Sequence, residues 1–239
     1  MTFLRCLGLV GAPGVELTTH CARLIDEEVR QRFGGSQRAN LVTLSLQIGS
    51  LESPLHRNNR QKDGHAVGEA MQMVQSLGAE AVLLCSSLLH VMSRESIGVP
   101  VLSITAPVVG AIRRARHQRV GLVGTRAAKE ERFWRDALAE AGIEEVLLPV
   151  TCDREHLLKV VDEEFANGIV TEAARADVVR VVHSLRRAGA RAVVVCLPVL
   201  TAVLEDAVPV TPIFDVTQLY AQAAVDWMLV SATTGHAAN

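Results

Sequence analysis

Aromatic side chains are scarce, 3% of a 239-residue chain in which 49% of the residues are hydrophobic. The interior must therefore be built from Val, Leu, Ile and Ala, a composition that suits buried parallel strands covered by helices. Basic charge is not in excess: 24 Lys and Arg stand against 26 Asp and Glu, and the one local cluster, Arg113 to Arg119, is short. That argues against nucleic acid and anionic membrane as partners. No uninterrupted apolar run reaches about 18 residues, so no membrane span is expected. The opening segment, Met1 to Gly14, lacks the long apolar core and small-residue cleavage site of a signal peptide; it reads as a strand and a turn. Five cysteines, an odd number without scaffold-like spacing, predict reduced thiols and a cytoplasmic location. The glycine fingerprint of dinucleotide sites is absent. Neither His20 beside Cys21 nor the Cys85 to His90 spacing makes a zinc ligand set. Neither a metal nor a cofactor is expected.

Repetition is what the chain does have. Gly78-Ala79-Glu80-Ala81-Val82-Leu83-Leu84-Cys85 and Gly189-Ala190-Arg191-Ala192-Val193-Val194-Val195-Cys196 agree at five of eight positions. Leu7 to Gly11 matches Val120 to Gly124, and Val99-Pro100-Val101 matches Val208-Pro209-Val210, in the same order and at nearly constant offset. Between these matches, apolar runs of strand length alternate with segments of helical period, which is the pattern of βα units with parallel strands and right-handed crossovers. Strands are expected near 4–11, 40–46, 80–85, 101–104, 119–124, 145–149, 191–196 and 210–214. Helices are expected near 15–32, 58–77, 106–117, 127–141, 153–166, 171–188 and 216–231. The fold class is α/β with two pseudo-symmetric lobes, each a parallel sheet flanked by helices, and an active site at the lobe interface. The lobes are placed at 1–112 and 113–232, with 215–232 a segment that can return to the first lobe and 233–239 a flexible tail.

In parallel sheets the ligand crevice lies beyond the carboxyl ends of the strands, and both repeated cysteines stand there. After Cys85 come Ser86 and Ser87, which can cap the next helix and favour an anion, either a thiolate or a substrate carboxylate. After Cys196 come Leu197 and Pro198, which offer no hydroxyl and remove one backbone donor; this drier setting raises a thiol pKa. Cys85 is therefore expected to be the more readily ionised thiol. The turn at Pro13 can present backbone N–H groups to a carboxylate, Thr125 stands in the matching place of the second lobe and adds a hydroxyl, and Ser45 ends a strand at the same edge. Cys6 and Cys21 read as packing residues, and Cys152 as an incidental thiol.

These residues resemble the aspartate/glutamate racemase superfamily over roughly 4–230. Cys85-Ser86-Ser87-Leu88-Leu89-His90 is similar to the family's Cys-Asn-Thr-x-His with one extra residue, whereas Val195-Cys196-Leu197-Pro198 matches Gly-Cys-Thr-Glu at the cysteine alone. The turn at Gly11 to Gly14 resembles a degraded Gly-Gly-Met-Gly-Pro, and Pro212 to Thr217 resembles the C-terminal Asp-Thr-Thr segment, followed by Tyr220 where many members have His. The resemblance implies a cofactor-independent racemase or epimerase, a homodimer, in which opposed thiols Cys85 and Cys196 exchange the α-proton of a small carboxylate. Pro13, Ser45, Ser86, Ser87, Thr125 and Leu197 would bind the substrate. A cis-trans isomerase or decarboxylase on the same scaffold, and a catalytically silent binding protein, stand as alternatives.

Overall fold

A computed structural model describes residues 4–12, 16–46, 60–93, 98–125, 127–207 and 211–229. Pro13, the 208–210 member of the third repeat match and the 233–239 tail lie outside the described residues. The chain divides into two compact units, one running to Ile104 and resuming at Tyr220, the other from Thr105 to Leu219.

The first unit holds a three-stranded parallel sheet of order β2-β1-β3, with β1 (Leu7–Gly11), β2 (Leu41–Ser45) and β3 (Ala81–Leu84). β1 and β3 are buried throughout, which is why they read as continuous apolar runs, while β2 at the edge is partly exposed. Helices α1 (Glu16–Arg32) and α2 (Arg60–Ser76) cover this sheet. Their faces follow from the period of two along β1. A Cβ at Gly8 would lie 2.6 Å from Val74 of α2, and one at Gly11 would lie 1.8 Å from Thr18 Oγ1 of α1. The two glycines point to opposite faces, so each lets one helix approach the central strand. Val10, Val67, Met71, Val74, Val82 and Leu84 form the core on the α2 side.

The second unit holds a four-stranded parallel sheet of order β5-β4-β6-β7, with β4 (Arg119–Val123), β5 (Glu145–Leu147), β6 (Ala192–Val195) and β7 (Ile213–Asp215). Its helices are α4 (Thr105–Arg114), α5 (Ala128–Glu140), α6 (Thr151–Glu163) and α7 (Glu172–Arg187). In α7 the buried residues Ala174, Val178, Val181, Val182 and Leu185 keep helical spacing, and Thr171 caps the helix by accepting from Ala174 N–H at 3.1 Å. Gly121 lets Leu185 of α7 close on β4, as Gly8 does for Val74 in the first sheet. Helix α9 (Val216–Leu229) leads the chain back to the first unit, where Arg32 pairs with Asp226 at 2.5 Å and Arg5 stacks over Trp227.

Two expectations need correction. The strand anticipated at 101–104 is a single bridge, Val82 to Val101, because the chain bends away into α4 directly afterwards. Two short helices also went unread, α3 (Ser87–Met92) and α8 (Pro198–Asp206), each starting right after a repeated cysteine strand. Both are too short to show a helical period of their own.

Candidate active site

In the first unit the parallel register brings the carboxyl ends of all three strands to one edge, with Gly11 opposite Ser45 and Val10 opposite Leu84. Cys85 follows β3, donates its backbone N–H to Val10 O at 2.8 Å and is buried. Ser86 is the N-cap of α3, its Oγ accepting from Leu89 N–H at 3.4 Å, and Ser87 is buried in the first turn. Ser45 is exposed.

Chemistry that the sequence did not suggest surrounds Cys85. Cys21 of α1 is 3% exposed, and its Sγ lies 4.0 Å from Cys85 O, within reach of a sulfur donor. Tyr220 of α9 is buried, donates from Oη to Leu102 O at 2.6 Å and stands 3.3 Å from His90 Nε2. Desolvation holds the His90 imidazole down to about 4, with a hydrogen bond to the Leu84 backbone acting the other way. Burial, then the nearby Cys85 and Cys21, pushes the Tyr220 phenol up. The Cys85 thiol itself is pushed well above its ordinary value, first by the hydrogen bond with Cys21, then by burial. The Cys196 thiol is displaced in the same direction, so burial acts on both cysteines. The helix after Cys85 has only six residues, too few to build a strong dipole, and its capping oxygen already serves Leu89.

Thr18 was also missed. Its Oγ1 fills the space that Gly11 leaves open, and among the described residues it has no hydrogen-bond partner. A buried orphan hydroxyl costs about 1–3 kcal/mol, so a polar ligand or a water at this edge would relieve it.

In the second unit Cys196 follows β6 and donates its N–H to Val123 O at 2.9 Å, the counterpart of the Cys85 bond. It keeps partial exposure. Leu197 caps α8 without any side-chain hydrogen bond, and Pro198 takes the first turn, where its missing N–H costs nothing. Gly124 adopts φ +88, and a Cβ there would lie 3.1 Å from Leu197 N, so glycine is required on both counts. Thr125 beside it is buried. Burial raises the Cys196 thiol well above its ordinary value, as its apolar flanks suggested, but two carboxylates add to this, Glu130 and then Asp215. Glu130 is 5% exposed in the first turn of α5, and Asp215 Oδ1 accepts from Gln218 N–H at 3.0 Å to cap α9. Neither carboxylate is near Cys196 in sequence.

The structure thus groups Ser45, Cys85, Ser86 and Ser87 at the first edge, and Thr125, Cys196 and Leu197 at the second. No group of three or more His, Cys, Asp or Glu among the described residues could hold a metal ion, and no helix among them is long and apolar enough to cross a membrane.

Known proteins share this architecture. A Yersinia pestis protein with a provisional Asp/Glu racemase name superposes with a TM-score of 0.82 at 27% identity, covering 95% of this chain and 100% of its own. An aspartate racemase homologue from Pyrococcus horikoshii superposes at 0.79 with 21% identity, over 94% and 99% of the two chains. The Gly74Cys mutant of arylmalonate decarboxylase shares the fold at a TM-score of 0.56 and 16% identity, over 95% and 94%. Residues 13–224 match the profile that defines one such family. With two parallel α/β sheets, each ending a strand on a cysteine, the chain belongs to the Asp/Glu/hydantoin racemase family.

Proposed function

We propose that the protein is a cofactor-independent racemase or epimerase of a small α-substituted carboxylic acid, with Cys85 and Cys196 as its two acid-base groups. The observation that carries this reading is the duplicated construction. In each sheet one neighbour of the first strand, β3 beside β1 and β6 beside β4, is followed directly by a cysteine whose N–H bonds the equivalent carbonyl, Val10 or Val123. One thiol, as thiolate, takes the α-proton; the electron pair left on carbon is delocalised into the carboxylate. The other thiol returns its own proton to the opposite face, and the two sulfurs exchange protonation states. Positioned acid-base groups of this kind contribute about 10²- to 10⁴-fold.

The rest of the barrier must come from donors aimed at the substrate carboxylate. The Ser86 hydroxyl caps α3, Thr18 Oγ1 has no hydrogen-bond partner among the described residues, Ser45 and Ser87 stand at the edge of the first sheet, and Thr125 stands at the edge of the second. Pro13, outside the described residues, belongs to the same proposal as a contact of that carboxylate. Leu197 supplies an apolar wall, which favours a substrate with a less acidic side group than aspartate or glutamate. A homodimer belongs to the same proposal, and light scattering after size exclusion checks it.

Incubation in heavy water with a panel of amino acids and hydroxy acids tests the reaction. Deuterium should enter the α position of one compound with inversion, and Cys85→Ser or Cys196→Ser should each reduce inversion by about 10²- to 10⁴-fold. A second reading, decarboxylation with one thiol as proton donor, is favoured by the apolar Leu197 and Pro198 flank. Carbon dioxide release that is lost with one cysteine and survives the loss of the other would select it.

A further inference from the structure

Thr18 stands at the third position of α1 and is 2% exposed, and among the described residues its Oγ1 has no hydrogen-bond partner. The hydroxyl is turned toward the carboxyl end of β1, where it fills the space that the missing Cβ of Gly11 leaves open. Val10, Val82 and Leu84 belong to the core on the α2 side, so alternation along the strands turns Gly11, and Cys85 after Leu84, toward α1. Cys21, one turn on from Thr18, agrees with this side, since its Sγ lies 4.0 Å from Cys85 O. Thr18 and Cys85 therefore share one face of the sheet, at the end where parallel sheets bind ligands.

We propose that Thr18 is a substrate-contacting residue, its Oγ1 donating a hydrogen bond to the carboxylate of the acid that meets Cys85. The proposal rests on the assignment of Cys85 to the reaction and deepens it, because it names the hydroxyl of the first edge that holds the carboxylate. Ser86 Oγ is engaged in capping α3, and Ser45 is exposed on the outer strand. The first turn of the 17-residue α1 adds backbone N–H groups that have no intrahelical partner and favour an anion at the same place. Glu16 is exposed and lies about 200° around the helix from Thr18, so its charge is turned away. The second unit repeats the position with other chemistry: the third residue of α5, the helix after β4, is the buried Glu130. A carboxylate only accepts, which leaves the donor role to Thr18. The bond strengthens as the electron pair left on the α-carbon spreads into the carboxylate, so it acts on the rate as well as on binding.

The test compares two alkylating reagents at Cys85, read at that residue by peptide mass spectrometry in the full chain without substrate. Iodoacetate and iodoacetamide both lose iodide to the thiolate sulfur, so their rate ratio cancels the ionisation and burial of the thiol. Only iodoacetate carries a carboxylate, attached to the carbon that bonds the sulfur. In the wild type the iodoacetate-to-iodoacetamide ratio should be higher at Cys85 than at the exposed Cys152. Thr18→Val should lower the Cys85 ratio about three- to tenfold and leave that of Cys152 unchanged, whereas Thr18→Ser should keep the wild-type value. The proposal is overturned by a wild-type Cys85 ratio no higher than that of Cys152, by the absence of an iodoacetate adduct at Cys85, or by an unchanged ratio in Thr18→Val with wild-type circular dichroism. Thr18→Ala gives the same reading if the valine variant does not fold. The deuterium-exchange assay reads separately. Exchange with an unchanged ratio leaves the reaction standing and removes Thr18 from it; a lowered ratio without exchange by any compound keeps the carboxylate contact and sinks the racemase.

Discussion

The edge of the first sheet at Cys85 and the edge of the second at Cys196 are built on one plan and filled with opposite chemistry. Both cysteines follow a buried apolar strand, bond the carbonyl of the central strand and precede a short helix. Around Cys85 stand the Cys21 sulfur, the Tyr220 phenol displaced upward, the His90 imidazole held down to about 4 and the Ser86 cap. Around Cys196 there is no capping hydroxyl, and two carboxylates act on the sulfur. Both thiols are displaced upward, yet for different reasons, one through contact and burial, the other through burial and negative charge. Repeating a backbone plan therefore does not repeat the means by which a proton is held.

Removing either sulfur makes the severest test of that equivalence. Cys85→Ser and Cys196→Ser should each reduce α-proton inversion by about 10²- to 10⁴-fold, measured by deuterium incorporation. Full inversion in one of them would break the parallel between the two edges.

Acid should separate the edges next. The free His90 imidazole takes up a proton below 6.5 in the unfolded chain, while in the folded protein it stays neutral down to about 4. Stability from this source is therefore complete above 6.5 and falls as the pH drops to about 4. Every pH unit that separates the folded from the unfolded titration is worth about 1.4 kcal/mol, and the partial exposure of His90 trims the total to about 2–3 kcal/mol. Urea titrations at about pH 7 and about pH 4.5 should show this difference in the wild type and a reduced one in His90→Gln.

The carboxylates at the second edge give a smaller, specific effect. Glu130→Gln keeps the shape and removes the charge, so the Cys196 alkylation midpoint should fall by up to about one pH unit while that of Cys85 does not move. A fall at Cys85 as well would show that the two edges are not electrostatically independent.

Thr18→Val gives the smallest change in stability. Replacing an orphaned buried hydroxyl by a methyl of equal shape should leave stability unchanged or raise it by up to about 1 kcal/mol. α-Exchange should nevertheless weaken several-fold if the hydroxyl meets substrate. A clear loss of stability would mean that Thr18 has a partner in the folded protein.

Much of the fold was legible because its signals are local. Strand length, helical period and the terminal cysteine of each repeat all lie within a few residues, and β1, β3, β4 and β6 fall where the apolar runs stand. The run at 101–104 misled because a short apolar segment is consistent with a strand whether or not a ladder continues. Helices α3 and α8 escaped because one or two turns carry no period. At the candidate site, Cys21 was visible as part of a buried stripe on α1, but nothing within α1 says that the stripe meets Cys85, 64 residues away. The same holds for Tyr220 and Leu102, which are 118 residues apart.

The sequence by itself determined the α/β class, the duplication and the placing of a cysteine at the end of a strand in each half. Strand pairing and burial follow from side-chain pattern along a short stretch of chain, so a linear reading suffices for them. Only the tertiary structure decided the state of each thiol. A proton is held by whatever lies within a few ångströms, and those neighbours, Cys21, Tyr220, Glu130 and Asp215, arrive from helices and strands far off in sequence.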